Sequence, residues 1–381
     1  MNTRGAWLMR DIPVIIWLTA ALVVSLIHPF FDSARWLMVH LVALGGFTHS
    51  IMVWSVHFSK ALLKTPDVES RRTQNIRLIL LQIGMLAVFI GAPLLGVYPV
   101  FMMKVMCFAL FACAFNLLLG FGGLLSFGHA MFFGMAGYVT AHSAKVWGLT
   151  PELAIILGVL CATAMGWIAG LLAIRRQGIY FAMITLALAQ MIFFFSLQAP
   201  FTHGEDGIQA VPRGHLFGVV DLNNTFNMYC FVLAVFVLGF GAIYRIIHSP
   251  FGQILQAIRE NEDRVVSLGF DATKFKLRAF VLSAALSGLA GGTKDILFQL
   301  ASLTDVHWTM SGDVVLMTLI GGMGTIFGPV FGAGVVVTMQ NYLAELGSWV
   351  TVVQGAIFVV VVLLFRRGIV GEIGYRIKKS L

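Results

Sequence analysis

The chain has 381 residues, of which 59% are hydrophobic and only 11% charged, with a formal net charge of +8. Soluble domains carry roughly a quarter charged residues, so this composition excludes one. Repeated charge-free runs of membrane-spanning length point to a helical membrane protein, where a barrel would alternate in short segments, and positive charge gathered between the runs speaks to membrane orientation and not to nucleic acid.

In chain order, the apolar runs predict spans near 12–31, 36–58, 78–97, 101–120, 125–144, 153–174, 178–199, 226–244, 279–293 and 349–365. The stretch 311–341 has room for two crossings, or for one crossing and a broken half-helix. The first run has no small-residue cleavage site behind it and reads as a retained helix. Residues 1–77 read as an N-terminal membrane extension of two spans and a charged linker, and 78–381 as the core. His28, His40, His49 and His57 of that extension do not share a helix face and have no carboxylate beside them, so they read as polar helix contacts, not a metal site. Cys107, Cys113, Cys161 and Cys230 lie in apolar runs without C-x-x-C spacing. They read as small core residues.

Lys and Arg crowd the connections at 60–77, 175–176 and 245–278 and the tail at 366–379. With a cytoplasmic N-terminus, alternation places the first three groups inside. The tail joins them if 311–341 crosses twice, which favours about twelve crossings within a range of 10–12 spans. The segments 200–225 and 294–310 then fall on the other side as external loops.

The stretch "GFGGLLSFGHAMFFG" at 120–134 sets five glycines, a serine and a histidine inside apolar sequence. Its continuation at 122–140 is echoed by "GGMGTIFGPVFGAGVVVT" at 321–338, where Gly-Gly, a small hydroxyl residue and two Phe-Gly pairs recur. Internal repeats of this kind are common in transporters, with the substrate path between them. The crossing count makes the copies parallel; one crossing fewer would invert them. Gly120–Ser126 is expected to break or join two helices at the cytoplasmic end, with His129 facing protein.

Missing chemistry narrows the function. No G-x-x-x-x-G-K-[ST] loop is present, and "GLAGGTKD" at 288–295 has the wrong spacing for one. No H-E-x-x-H or G-x-S-x-G motif supports an enzyme. From residue 78 on, the span centres read as free of Asp and Glu, which argues against a proton-coupled carrier.

The longest internal loop predicts one amphipathic helix of four to five turns. Ser249 is its N-cap, Pro250 suits the first position, and Gly269 is its stop. Phe251, Ile254, Leu255, Ile258, Val265 and Leu268 recur at helical spacing, and the charges lie mostly elsewhere around it. Such a helix either packs on the protein's own underside or docks a soluble partner.

Five blocks, in order, then resemble a family: "NLLLGFGGLLSFGHAMFFGMAGYVTA", "GIYFAMITLALAQMIFFF", "HGEDGIQAVP", "AIRENEDRVVSLGFDATKFKLRAFVLSAALSGLAGG" and "GDVVLMTLIGGMGTIFGPVFGA". Together they resemble the LivM-type permease subunits of branched-chain amino acid ABC importers over residues 78–370 or so. The resemblance implies an all-α polytopic bundle of the ABC importer permease fold in a bacterial inner membrane, and the charge alternation above is what places both termini on the cytoplasmic side. It implies a second related permease chain of LivH type, two ATPase subunits and a periplasmic binding protein. ATP and Mg would bind the ATPase subunits, with no cofactor and no metal in this chain.

By the same match, residues 250–269 would be the coupling helix, with Gly252, Ala257, Arg259, Glu260, Asn261, Arg264 and Gly269 at the ATPase contact. Asn116, Ser126, His129, Tyr180, Thr185 and Gln190 are the polar groups of the core spans near the matching motifs, and so the candidates for the translocation path. Each also reads as helix–helix hydrogen-bond glue. The implied substrates are leucine, isoleucine and valine, with urea or short amides as an alternative. An ion-coupled secondary carrier is the reading from a different class.

Overall fold

A computed structural model describes residues 99–342, 352–356, 358–359, 368–370 and 372. The chain divides into two compact units, Met1–Met102 and Met103–Leu381. The predicted spans before residue 98, the four N-terminal histidines, the boundary at 77 and both termini lie outside the described residues, as does most of 349–365.

Helix α1 (Pro99–Asn116) runs into a π turn at Leu117–Phe121. After a non-helical segment, α2 (His129–Lys145), α3 (Pro151–Ala173) and α4 (Ile179–Gln198) follow. Helix α5 is Thr225–Ile247, and two short helices, α6 (Pro250–Glu260) and α7 (Glu262–Ser267), lead into α8 (Ala272–Phe298). Helices α9 (Trp308–Gly321) and α10 (Gly328–Tyr342) form an antiparallel hairpin. Pro99–Phe121, α3, α4 and α5 are long and apolar enough to cross a membrane.

The core is a close trio of α2, α3 and α8, and small residues make it possible. A Cβ on Gly288 would run into Ala162, on Gly291 into the Phe133 backbone, on Gly292 into Thr140 and on Gly166 into Ala284. Backbones that approach this closely gain dispersion contacts where lipid offers no hydrophobic drive. The "GLAGG" stretch that fails as a nucleotide loop is thus part of this packing stripe.

Four expectations are corrected: the span at 279–293, the external loop at 294–310, the carboxylate-free span centres and the four core cysteines. The span expected at 279–293 is part of a 27-residue helix, Ala272–Phe298. Charge-free runs miss such ends, because Lys294 and Asp295 are buried against each other and against Asp305. The region 294–310 is therefore not simply a polar external loop, and the far half of the bundle does hold buried carboxylates. Cys230 is exposed, and Cys161 is only half-buried, so only Cys107 and Cys113 are core cysteines. The stretch 311–341 is two helices of 14 and 15 residues. Each is about 21–23 Å long at 1.5 Å per residue, shorter than the roughly 30 Å apolar layer.

At the end of the bundle remote from α6, the segments 200–225 and 294–310 are joined. Strands β1 (Ile208–Gln209) and β4 (Leu300–Ala301) pair antiparallel, Ile208 opposite Ala301. A second small ribbon pairs β2 (His215–Leu216) with β3 (Val220–Asp221).

Candidate functional site

The site is built where α6 meets the two glycine-rich turns. Ser249 caps α6, accepting the Gly252 N–H at 3.4 Å, and Pro250 fills the first helical position. The helix expected over 250–269 is two helices. Asn261 leaves the helical region (φ −158°, ψ 96°), and its side chain caps α7 by accepting the Arg264 N–H at 3.0 Å. An Asn side chain that bonds the backbone competes with continuation of a helix. Gly269, at φ 90°, follows the end of α7.

Ile258 and Val265 close over Ala272 at the start of α8, with Ile254 and Phe275 packed beside them. The polar side faces outward: Ala257, Arg259, Glu260, Asn261, Arg264 and Gly269 are all exposed. Gly252 is not on that surface. It is buried at the corner with α5, where a Cβ would strike the carbonyls of Ile246 and Ile247. Glu262 accepts from Lys276 at 2.6 Å and from Gln177 at 2.8 Å, tying α7 to α8 and to the α3–α4 connection.

Arg259 turns inward from this exposed surface. Its guanidinium donates to the Gly120 carbonyl. Its stem lies where a Cβ of Gly123 would stand, and its Nη1 lies 3.4 Å from where a Cβ of Gly324 would stand. Gly123 (φ 70°) and Gly324 (φ 77°) both occupy the left-handed region that glycine adopts at no steric cost. Asn116 joins the turns from the other side. Its amide donates to the Thr325 carbonyl at 2.8 Å and accepts the Gly324 N–H at 3.0 Å. A Cβ on Gly120 would collide with the Asn116 side chain and the Gly324 nitrogen.

The two repeat copies therefore touch. α1 and α9 both run toward this end, and α2 and α10 both leave it, so the copies have the same orientation. Each turn is held by its own hydroxyl. Ser126 accepts the Gly128 N–H at 3.2 Å; Thr325 accepts the Gly328 N–H at 3.1 Å and donates to the Gly322 carbonyl at 2.7 Å.

Thr185 pins the first turn to α4 by accepting the Phe127 N–H at 3.1 Å while donating to Ala182. His129 is fully buried among Phe115, Phe132 and Phe280. Its Nε2 meets the Ser283 hydroxyl at 2.8 Å, and that hydroxyl donates to the Ala114 carbonyl at 2.6 Å. A hydroxyl has one proton, so His129 must donate from Nε2, which fixes the tautomer. It clamps α1, α2 and α8 together.

Of the path candidates, Asn116, Ser126, His129 and Thr185 are thus gathered around the first turn. Tyr180 is not, being 70% exposed on the outer face of α4, and Gln190 is half-buried further along the same helix. Sequence reasoning missed Gly324, Thr325 and Ser283 as members of the site. The repeat carried a signal for the first two, since they stand in the second copy of the motif. Among the described residues no group of three His, Cys, Asp or Glu could hold a metal ion.

A polytopic helical bundle with two parallel helix–turn–helix copies, joined at one end to a small peripheral helix pair, has the architecture of a membrane transport protein. The chain belongs to the family described as "Branched-chain amino acid transport system / permease component", which matches residues 99–362. It is an integral membrane permease component, a transport subunit of ABC type. The high-affinity branched-chain amino acid permease protein LivM of Salmonella typhimurium is 25% identical over 287 residues, covering 69% of this chain and 68% of the relative. The ribose import permease protein RbsC of Bacillus subtilis is 30% identical, covering 58% and 70%. A probable branched-chain amino acid permease protein LivH of Methanocaldococcus jannaschii is 22% identical, covering 60% and 76%. No solved structure matches the chain.

Proposed function

We propose that this chain is the translocating subunit of an ATP-driven importer of branched-chain amino acids in a bacterial inner membrane. Its similarity to proteins named LivM and LivH supports pairing with a second, related permease chain. Two ATPase subunits bind the ATP and Mg below the permease pair, one of them docking on the exposed face of α6 and α7 of this chain; no cofactor resides in this chain. A periplasmic binding protein delivers substrate to the opposite end. Both termini are then cytoplasmic, and residues 1–77 form a membrane extension of the core.

One observation carries this reading: Arg259, on the exposed helix pair, bonds the first glycine-rich turn and lies beside the second, to which Asn116 ties the first. A push on α6 therefore bears directly on the junction of the two repeats. Coupled elements with two discrete arrangements are what alternating access requires. Asn116, Ser126, His129 and Thr185 hold that junction in shape.

Two variants test it. Arg259→Ala should lower ATP-driven leucine uptake by at least about tenfold, a loss of 1.4 kcal/mol or more of coupling, with ATPase subunits still co-purifying. Glu260→Lys should weaken that co-purification. Neither should alter leucine affinity of the binding protein. Normal uptake by Arg259→Ala would sink the assignment, and so would uptake by this chain alone on an ion gradient. The 30% identity to a protein named for ribose import supports a second reading, in which the cargo is a different small polar solute. Ribose, urea and short amides therefore belong beside leucine in the uptake assay.

A further inference from the structure

Among the described residues, three carboxylates from the end of α8 to α9 lie inward in the far half of the bundle, and they are not alike. Asp295 and Asp305 face the ammonium of Lys294 at 3.2 and 2.5 Å. Asp313, in the second turn of α9, pairs with no cation among the described residues. Its two oxygens accept from neutral amides instead: Oδ2 from Gln340 on α10 at 3.0 Å, and Oδ1 from Gln354 at 3.2 Å. A carboxylate only accepts, so both amides must turn their NH2 groups to it and keep their carbonyl oxygens as acceptors.

Neutral donors orient a carboxylate without cancelling its charge. An uncompensated carboxylate inside a membrane bundle is expensive, and such residues mark substrate or ion sites. The two amides use about half of its roughly four lone-pair positions, which leaves acceptor capacity for a cationic donor. The neighbouring Gly312 has open space where a side chain would begin. We propose that Asp313, held by Gln340 and Gln354, binds the primary ammonium group of the transported amino acid. The assignment rests on the amino-acid importer reading above, and the test separates the two.

The assembled transporter in membrane vesicles is treated with dicyclohexylcarbodiimide, and modification of Asp313 is read by mass spectrometry. Isoamylamine keeps the side chain and ammonium of leucine without the carboxylate; isocaproate keeps the carboxylate without the ammonium. Isoamylamine and leucine should lower the total modification of Asp313, carbodiimide adduct and amide with the added amine counted together, several-fold, and isocaproate should not. Asp313→Asn should raise the half-saturating leucine concentration for uptake about tenfold with the binding protein's affinity unchanged, and Asp313→Glu should restore part of it. The proposal is overturned if isocaproate protects as well as the amine, or if Asp313→Asn transports with unchanged half-saturation. Equal protection by sodium chloride, but not by choline chloride, would make this a monovalent-cation site and overturn it too. Protection by isoamylamine in a protein that does not carry leucine would leave the ammonium site standing and remove the importer reading.

Discussion

The two ends of helix α8 are built on opposite principles. Where α8 begins, near α6 and α7, its ion pair is open on one side only: Lys276 is buried, and its partner Glu262 has a side chain that is 26% exposed. The neighbouring turns are held by hydrogen bonds with backbone groups: Arg259 donates to Gly120, and Asn116 donates to Thr325 and accepts from Gly324. About 33 Å further along, at 1.5 Å per residue, Lys294, Asp295 and Asp305 are all under 10% exposed. There Asp305 also accepts from the backbone and hydroxyl of Ser302, and the β1–β4 ribbon lies alongside. A buried pair that loses one member leaves an uncompensated charge, so the far end resists rearrangement. Exchanging the bonds of a neutral Asn116 and an exposed Arg259 strands no buried charge, so the turns can rearrange at lower cost. The difference implies that motion imposed at α6 is absorbed by the glycine turns, while the far end keeps its shape.

The strongest way to break this comparison is Lys294→Met. It strands two buried carboxylates, and removal of one partner of a buried pair costs about 3–5 kcal/mol. Folded yield and the thermal midpoint in detergent should both fall sharply. Adding Asp305→Asn should recover part of the loss, because fewer charges are then left bare. A Lys294→Met protein that melts like the wild type would mean the far end is not locked by charge.

Next in size is Gly120→Ala at the other end. The new Cβ must displace the Asn116 amide or the Gly324 backbone. Overpacking of this kind costs about 1–3 kcal/mol, which a bundle of this size survives. The stability loss should be smaller than for Lys294→Met, while leucine uptake falls about tenfold, in line with lost coupling of about 1.4 kcal/mol. A variant that transports normally would show that the two turns need not stay in register.

The positions of these two ends were unequally legible in the sequence. The glycine motif at 120–134 and its echo at 321–338 were readable because backbone geometry dictates glycine locally, and a repeat displays it twice. Ser249, Pro250 and the apolar periodicity through Ile258 announced α6 for the same reason. The break at Asn261 was not readable, since an exposed Asn fits a helix interior and a cap alike until its side chain is seen on the Arg264 nitrogen. Lys294 and Asp295 were read as loop residues because charge in an apolar sequence normally marks the water boundary. Their pairing depends on Asp305, which the fold brings back from ten residues on. Whether Gln340 and Gln354 belong with Asp313 could not be read from spacing at all, because three separate segments supply them. The inward path of Arg259 was hidden in the same way, behind neighbours that really do face outward.

A smaller effect sharpens the contrast at the α6 end. Glu262→Gln keeps an oxygen for Lys276 but removes the charge. Glu262 is partly exposed and Lys276 is buried, so the loss should lie between about 0–1 kcal/mol for an exposed pair and about 3–5 kcal/mol for a buried one, and 1 M salt should shrink the difference. A loss approaching that of Lys294→Met would erase the distinction between the two ends.

The smallest effect belongs to Asp271, the cap of α8. Its carboxylate accepts the Lys274 N–H at 3.1 Å and lies 3.0 Å from the Lys274 ammonium, both in the open. The Lys274 backbone N–H, followed by its side chain, holds the Asp271 carboxyl below the usual carboxylate range. A group whose pKa is depressed by folding stabilises the fold above its unfolded value, about 3.9 for Asp. That contribution disappears as pH falls through the lower folded value. Asn is a comparable cap without the charge, so Asp271→Asn isolates this one contribution. The thermal midpoints of the two proteins should differ by a constant, small amount from neutral pH down to about pH 4, and should converge below it. A difference that persisted unchanged in stronger acid would assign the cap's advantage to shape and not to the carboxylate. Convergence already near pH 6 would mean that the charge acting here belongs to another group.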